Sequence, residues 1–110
     1  MESSYDYRFT RKAESDLDGI ISYLAIDLSN AAAAADFAKN LQAAIDETLL
    51  FPLSGTLVSN DFLPDTSIWK KVIGNYIMYY FPDAEQHIIN IVRILYGRRN
   101  LEELIRLLEP

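Results

Sequence analysis

The stretch "IWKKVIGNYIMYYF", Ile68 to Phe81, constrains the fold more than any other part of the chain. Two runs rich in β-branched and aromatic residues flank Gly74-Asn75, a dipeptide suited to a two-residue type I′ or II′ turn, where positive φ is required and glycine adopts it at no steric cost. The spacing predicts strands at 68–73 and 76–81 joined as a hairpin. A two-residue turn sets the register, pairing Ile73 with Tyr76, Lys71 with Met78 and Trp69 with Tyr80. The opposite face then carries Ile68, Lys70, Val72, Ile77, Tyr79 and Phe81. An antiparallel sheet with one solvated face shows clean polar–apolar alternation; here both faces are apolar, so both need a cover. For the second face a partner protein is a candidate.

The flanking segments supply one layer. "YDYRF", residues 5–9, alternates aromatic and polar groups as a short strand does. Thr10 suits an N-cap, and from it Ala13, Leu17, Ile20, Ile21, Leu24 and Leu28 recur at helical spacing, while Glu14, Asp16, Asp18 and Asp27 are read as a solvated surface. "DLSN" is a turn with capping residues, after which "AAAAADFAKNLQAAIDETLLF" predicts a second helix to about Leu50. So short a linker favours an antiparallel helical hairpin. Phe51–Ser67, with two prolines and a glycine, reads as a long connecting loop that holds a turn of helix or contributes to a binding surface. "PDAEQ" at 82–86 is a turn, His87–Tyr96 is a long strand, and Leu101, Leu104, Ile105 and Leu108 form a short last helix with Asn100 as its cap. The order β-α-α-β-β-β-α defines an α+β fold: a single domain, residues 1–110, in which a small twisted antiparallel sheet carries the helical hairpin on one face.

Composition narrows the chemistry. The chain has 10 Lys+Arg against 16 Asp+Glu, and the excess is uneven: residues 1–65 carry 4 basic and 11 acidic side chains, residues 66–110 carry 6 and 5. A net charge of −6 lacks the basic stripe of a general nucleic-acid binder, which favours a protein partner. There is no cysteine, so disulfides and cysteine-based zinc sites are excluded. The N-terminus does not follow a signal-peptide pattern, and no apolar run reaches the roughly 18–20 residues of a membrane span, so a cytoplasmic protein without membrane association is expected. With His87 as the sole histidine and no G-x-S-x-G, a hydrolase triad is not expected. Glu14, Asp16 and Asp18 scatter around a helix rather than converge on a metal, and the four glycines form no phosphate-binding fingerprint, so neither metal nor cofactor is expected.

The candidate site residues cluster late in the chain. Arg98 and Arg99 follow a strand and a glycine and precede a helix, where backbone N–H groups favour an anion. Two readings fit them: a bidentate clamp for a carboxylate or phosphate, or internal pairing with Glu102 or Glu103. Arg93, inside the last strand, reads as paired with an acidic side chain or placed at a sheet edge. Lys70 and Lys71 are adjacent and point to opposite faces, so at least one reaches solvent or an anion. Trp69, Tyr76, Tyr79 and Tyr80 could stack on nucleobases, but few basic residues accompany them and sheet packing is favoured.

The element order, the segment "GNYIMYYF", the end "IVRILYGRRNLEEL" and the first-helix stretch "RKAESDLDGIISYL" together resemble the RelE/ParE superfamily of bacterial type II toxin–antitoxin modules over nearly the whole chain. The resemblance implies a cognate antitoxin that wraps the toxin in a hetero-oligomer. It also implies one of two targets: ParE-like members poison DNA gyrase, and RelE-like members cleave mRNA on the ribosome. The chain departs from the nuclease pattern at Ile77, where that branch often carries arginine, and from many ParE-like relatives at Tyr96, where they carry histidine before "GRR". Tyr96, Arg98 and Arg99 would supply only part of a ribonuclease site, since tyrosine, with a pKa of about 10, is a poor base. The expectation is a ParE-like plasmid-stabilisation toxin acting on gyrase without catalysis, with no cofactor. The candidate target- or partner-binding residues would be Arg98, Arg99, Tyr96, Arg93, Lys70, Lys71 and Trp69. The alternatives are a ribosome-dependent endoribonuclease, for which Tyr96, Arg98 and Arg99 are the catalytic candidates, and a degenerate member that only binds its antitoxin.

Overall fold

The computed structural model describes residues 4–58 and 67–97. The hairpin forms at the expected register: β3 (Trp69–Ile73) pairs antiparallel with β4 (Tyr76–Asp83), with Ile73 opposite Tyr76, Lys71 opposite Met78 and Trp69 opposite Tyr80. Gly74 has φ +61° while Asn75 stays at negative φ, as a type II′ turn requires. β5 (Ile88–Tyr96) lies antiparallel to β4 on its other side. The long connecting loop contributes a two-residue edge strand, β2 (Thr56–Leu57), opposite Lys70 and Trp69. β1 (Asp6–Phe9) completes a five-stranded sheet of order β1-β5-β4-β3-β2. β1 runs parallel to β5, so the sheet is mixed. Hairpin linkage dictates direction only for consecutive strands, and β1 reaches β5 through the helical layer.

Thr10 caps α1 (Arg11–Ser22): its hydroxyl accepts from the Ala13 N–H and donates to the Val92 carbonyl, tying the helix start to β5. The helix does not continue regularly to Leu28. It passes into a π-helical turn, Tyr23–Asp27, closed by the Leu28 N–H on the Tyr23 carbonyl. Asn30 caps α2 (Ala31–Leu50) by accepting from the Ala33 N–H. The expected last helix, with Asn100, lies outside the described residues.

The helices cover the face that carries Trp69, Lys71 and Ile73. Ala13 and Ile20 of α1 and Phe37, Leu41 and Ile45 of α2 pack with Ile73, Met78, Tyr80, Ile89, Ile91 and Ile94. On the opposite face Val58, Ile68, Ile77, Tyr79 and Leu95 form a second buried cluster. Val72 remains exposed there.

Tyr80 is fully buried and its hydroxyl accepts the Gly55 N–H at 3.0 Å. A Cβ at Gly55 would sit 2.5 Å from both that hydroxyl and the Lys70 carbonyl oxygen. Gly55→Ala is therefore expected to cost about 1–3 kcal/mol through overpacking, read as a lower urea midpoint. An unchanged midpoint would refute the close approach of this loop to β3.

Burial raises the pKa of Tyr79 and Tyr80 above the ordinary value of 10.0. Both are raised in the folded state, so their contribution to stability is fully present below the unfolded pKa and is lost as pH climbs through the folded values. An absorbance titration is expected to show part of the tyrosinate signal rising late and together with loss of circular dichroism. Complete titration near pH 10 with the fold intact would contradict it.

Candidate functional site: a groove beside the last strand

β1 ends where Phe9 pairs with Ile91, and Thr10 then donates its N–H to the Ile91 carbonyl before the chain turns into α1. β5 runs on to Tyr96, so its edge beyond Ile91 has lost its strand neighbour. α1 takes that place. Asp16 accepts the orphan N–H of Ile94 through Oδ2 at 3.0 Å and holds Arg93 bidentately, Nε to Oδ2 at 2.7 Å and Nη2 to Oδ1 at 2.9 Å. Each side chain is 14% exposed. A register shift supports this geometry: Tyr79 faces Arg93 and Tyr80 faces Ile91, leaving Val92 as the extra residue of a bulge. Such a bulge re-aims the side chains around it.

This clasp forms one wall of a groove of about 580 Å³ between α1 and the end of the sheet. Ser15, Gly19 and Ile20 line it from the helix, Ile94 and Leu95 from β5, and three tyrosines rim it. Tyr23 projects from the start of the π-helical turn, Tyr76 from the hairpin and Tyr96 from the end of β5. Tyr76 packs edge-on to Phe37, with ring centroids 5.1 Å apart, and to Tyr96 at 5.7 Å. Its pKa is pushed up, first by burial and then by the proximity of Tyr23 and Tyr96. It therefore stays a neutral hydroxyl, able to donate or accept a hydrogen bond and ill-suited to act as a base. Tyr23 and Tyr96 are roughly half exposed and available to a ligand or partner.

The candidate binding residues within the described part of the chain lie in three places. Arg93 and Tyr96 meet in this groove, and Arg93 is engaged by Asp16. Lys70 and Lys71 line a shallow depression with Ala43, Glu47 and Gly55. The Lys71 ammonium binds Glu47 Oε1 at 2.6 Å, and this bond, followed by the charge itself, holds the Glu47 carboxyl below its ordinary pKa. Trp69 lines a third recess with Tyr5, Leu53, Phe81 and Pro82. Arg98 and Arg99 lie outside the described residues. Asp16 corrects the expectation of a solvated acidic helix face. It stands three residues after Ala13 and four before Ile20, which are both buried, so it shares their side of the helix.

Among the described residues no group of three His, Asp or Glu side chains could hold a metal ion, and no helix is long and apolar enough to cross a membrane. No imidazole lines the groove. His87 sits at positive φ before β5 and stacks on Tyr5, with ring centroids 5.0 Å apart.

Comparison with known proteins places this geometry. No curated protein matches the sequence. Among solved structures, the chromosomal ParDE toxin–antitoxin system from P. aeruginosa shares the fold at a TM-score of 0.64 and 16% identity, over 84% of this chain and 95% of that one. The RelBE2 toxin–antitoxin complex from Mycobacterium tuberculosis aligns at a TM-score of 0.48 and 21% identity, over 84% of this chain and 96% of that one. Residues 7–101 match the family model of the ParE toxin of the type II toxin–antitoxin system parDE. With nearly the whole chain inside that match, and with the sheet and helical hairpin of the expected α+β fold in place, the protein belongs to the ParE toxin family of type II toxin–antitoxin systems.

Proposed function

We propose that this toxin acts by binding and inhibiting DNA gyrase, and that a cognate antitoxin holds it inactive in a toxin–antitoxin hetero-oligomer. The observation that carries the reading is the state of the groove. Cleaving RNA needs a group to activate the 2′-hydroxyl, an acid for the leaving oxygen and a cation for the charged transition state. Among the described residues, the polar groups the groove offers are the hydroxyls of Ser15 and three tyrosines and the Arg93 guanidinium paired with the Asp16 carboxylate. That set suits contact with a protein better than proton transfer. Exposed Ile26 and Leu28 lie close along the chain to Tyr23 of the rim and extend the apolar surface open to a protein partner. Arg98 and Arg99 continue the chain from Tyr96 and are proposed as target or antitoxin contacts.

Induced expression without an antitoxin tests the target in cells. Labelled-precursor incorporation is expected to show DNA synthesis failing before protein synthesis. Arrest of protein synthesis first would favour the ribosome, and unimpeded growth at confirmed expression would favour a degenerate member.

A further inference from the structure

Side chains of the protein itself close two stretches of the sheet's edge. At the end of β5, Thr10 donates to the Val92 carbonyl and Asp16 accepts the Ile94 N–H. On β1 the N–H groups of Asp6 and Thr10 point toward β5, so that of Tyr7 points outward, where Asp6 Oδ1 takes it at 2.8 Å. The outer edge of β3 has no such guard. Val58 donates to the Ile68 carbonyl, so Ile68 faces the β2 side, and the alternation of strand backbone turns Lys70 and Val72 the same way. β2 pairs only as far as Thr56 opposite Lys70, and the chain before it turns off, with the Ser54 N–H on the Phe51 carbonyl. The N–H and carbonyl of Val72 therefore face outward with no partner among the described residues, beside a side chain that is 72% exposed.

Next to them lies a depression of about 450 Å³. Ala43 and Ala44 of α2 line one side of it and leave room for apolar groups, and Lys70 lines it from the strand. The Lys71 charge is met by Glu47, whereas Lys70 forms no ion pair among the described residues. In a chain of net charge −6, this edge presents a cation. We propose that the outer edge of β3 at Val72 is a docking site for an extended segment of a protein partner in which acidic and apolar residues alternate. Antiparallel to β3, one residue of that segment exchanges both backbone hydrogen bonds with Val72. Its side chain falls on the face shared by Val72 and Lys70, where a carboxylate is the diagonal neighbour of the ammonium, and the residues before and after it point to the α2 side. A second copy of the chain fits this edge badly, because pairing β3 with β3 brings Lys70 and Lys71 against their counterparts. The proposal does not depend on gyrase being the target.

The test is fluorescence anisotropy of a short labelled peptide of alternating valine and glutamate with the native chain, Val72→Pro and Lys70→Glu. Proline removes the outward N–H, which the fold does not use, and edge strands tolerate it. Val72→Pro and Lys70→Glu are each expected to weaken binding about tenfold, and a peptide with lysine in place of glutamate is expected to bind at least about tenfold more weakly to the native chain. No binding of the glutamate peptide at about 1 mM would overturn the proposal, as would equal affinity of the native chain and a Val72→Pro variant folded by circular dichroism, or equal affinity for the lysine peptide. A second measurement needs no variant: the Val72 amide resonance is expected to shift as the glutamate peptide is added, while that of Ile94 stays in place. A bound peptide that leaves the Val72 amide unmoved would overturn the proposal. So would dimerisation of the native chain that Val72→Pro abolishes, which would put a second copy on this edge. None of these readouts involves gyrase, so gyrase inhibition can fail while these results stand, and the reverse.

Discussion

Replacing Tyr80 with alanine is expected to remove about 3–5 kcal/mol of folding stability, the cost of truncating a large aromatic in a closed core. Domains of this size are typically stable by about 5–15 kcal/mol, so the variant should be marginal or unfolded at body temperature. Tyr80 is fully buried on β4, packed in the cluster that holds Met78, Ile91 and the α2 residues Leu41 and Ile45. Its hydroxyl anchors the loop through the Gly55 N–H. Tyr80→Phe separates the two contributions: it keeps the ring and leaves that N–H without its acceptor, at a cost of about 1–2 kcal/mol. Equal loss in the two variants, followed by urea unfolding, would mean that the ring is not the core element described.

The second large effect is at the clasp. Asp16→Ala is expected to cost about 2–3 kcal/mol, because it leaves the partly buried Arg93 guanidinium and the Ile94 N–H without the carboxylate that satisfies them. Arg93→Ala should cost a similar amount, and the double variant less than the sum of the two. The pair fastens α1 to β5 where β1 no longer pairs, so its loss should loosen the groove first. Hydrogen exchange at Ile94 would then accelerate more than exchange at Ile91, which faces Phe9 of β1. Strict additivity of the two single variants would contradict the clasp.

The parts of the fold visible in the sequence are those dictated by local chemistry. Gly74-Asn75 is compatible with few conformations other than a tight hairpin, so the β3–β4 register followed residue by residue. Thr10 and Asn30 were recognisable as caps because a side-chain acceptor before a helical stripe has few other uses. The features that were not visible depend on contacts distant in sequence. The parallel pairing of β1 with β5 joins residues 82 positions apart, and no turn encodes it. The two-residue β2 is too short to show a period, and its existence depends on β3 offering a free edge. The π-helical turn at Tyr23–Asp27 leaves the apolar spacing close to that of an α-helix.

The site divides in the same way. Tyr96 became a candidate through the family resemblance, as the residue before Gly97-Arg98-Arg99, and the pairing of Arg93 with an acid was expected without its partner. Asp16 carried a usable signal in its spacing from Ala13 and Ile20, which outweighs the general tendency of aspartate to face water. Tyr23 carried none, because its approach to the groove depends on the π-helical turn. Trp69, Lys70 and Lys71, named as binding candidates for their chemistry, line recesses other than the groove that holds Tyr96.

The most direct measurement is DNA supercoiling by purified gyrase in the presence of the purified, antitoxin-free protein, with Arg98→Ala/Arg99→Ala as control. The native chain is expected to inhibit supercoiling in a dose-dependent way, and the double variant, folded by circular dichroism, is expected to lose that inhibition. Undiminished supercoiling at a large excess of folded native protein would contradict gyrase as the target.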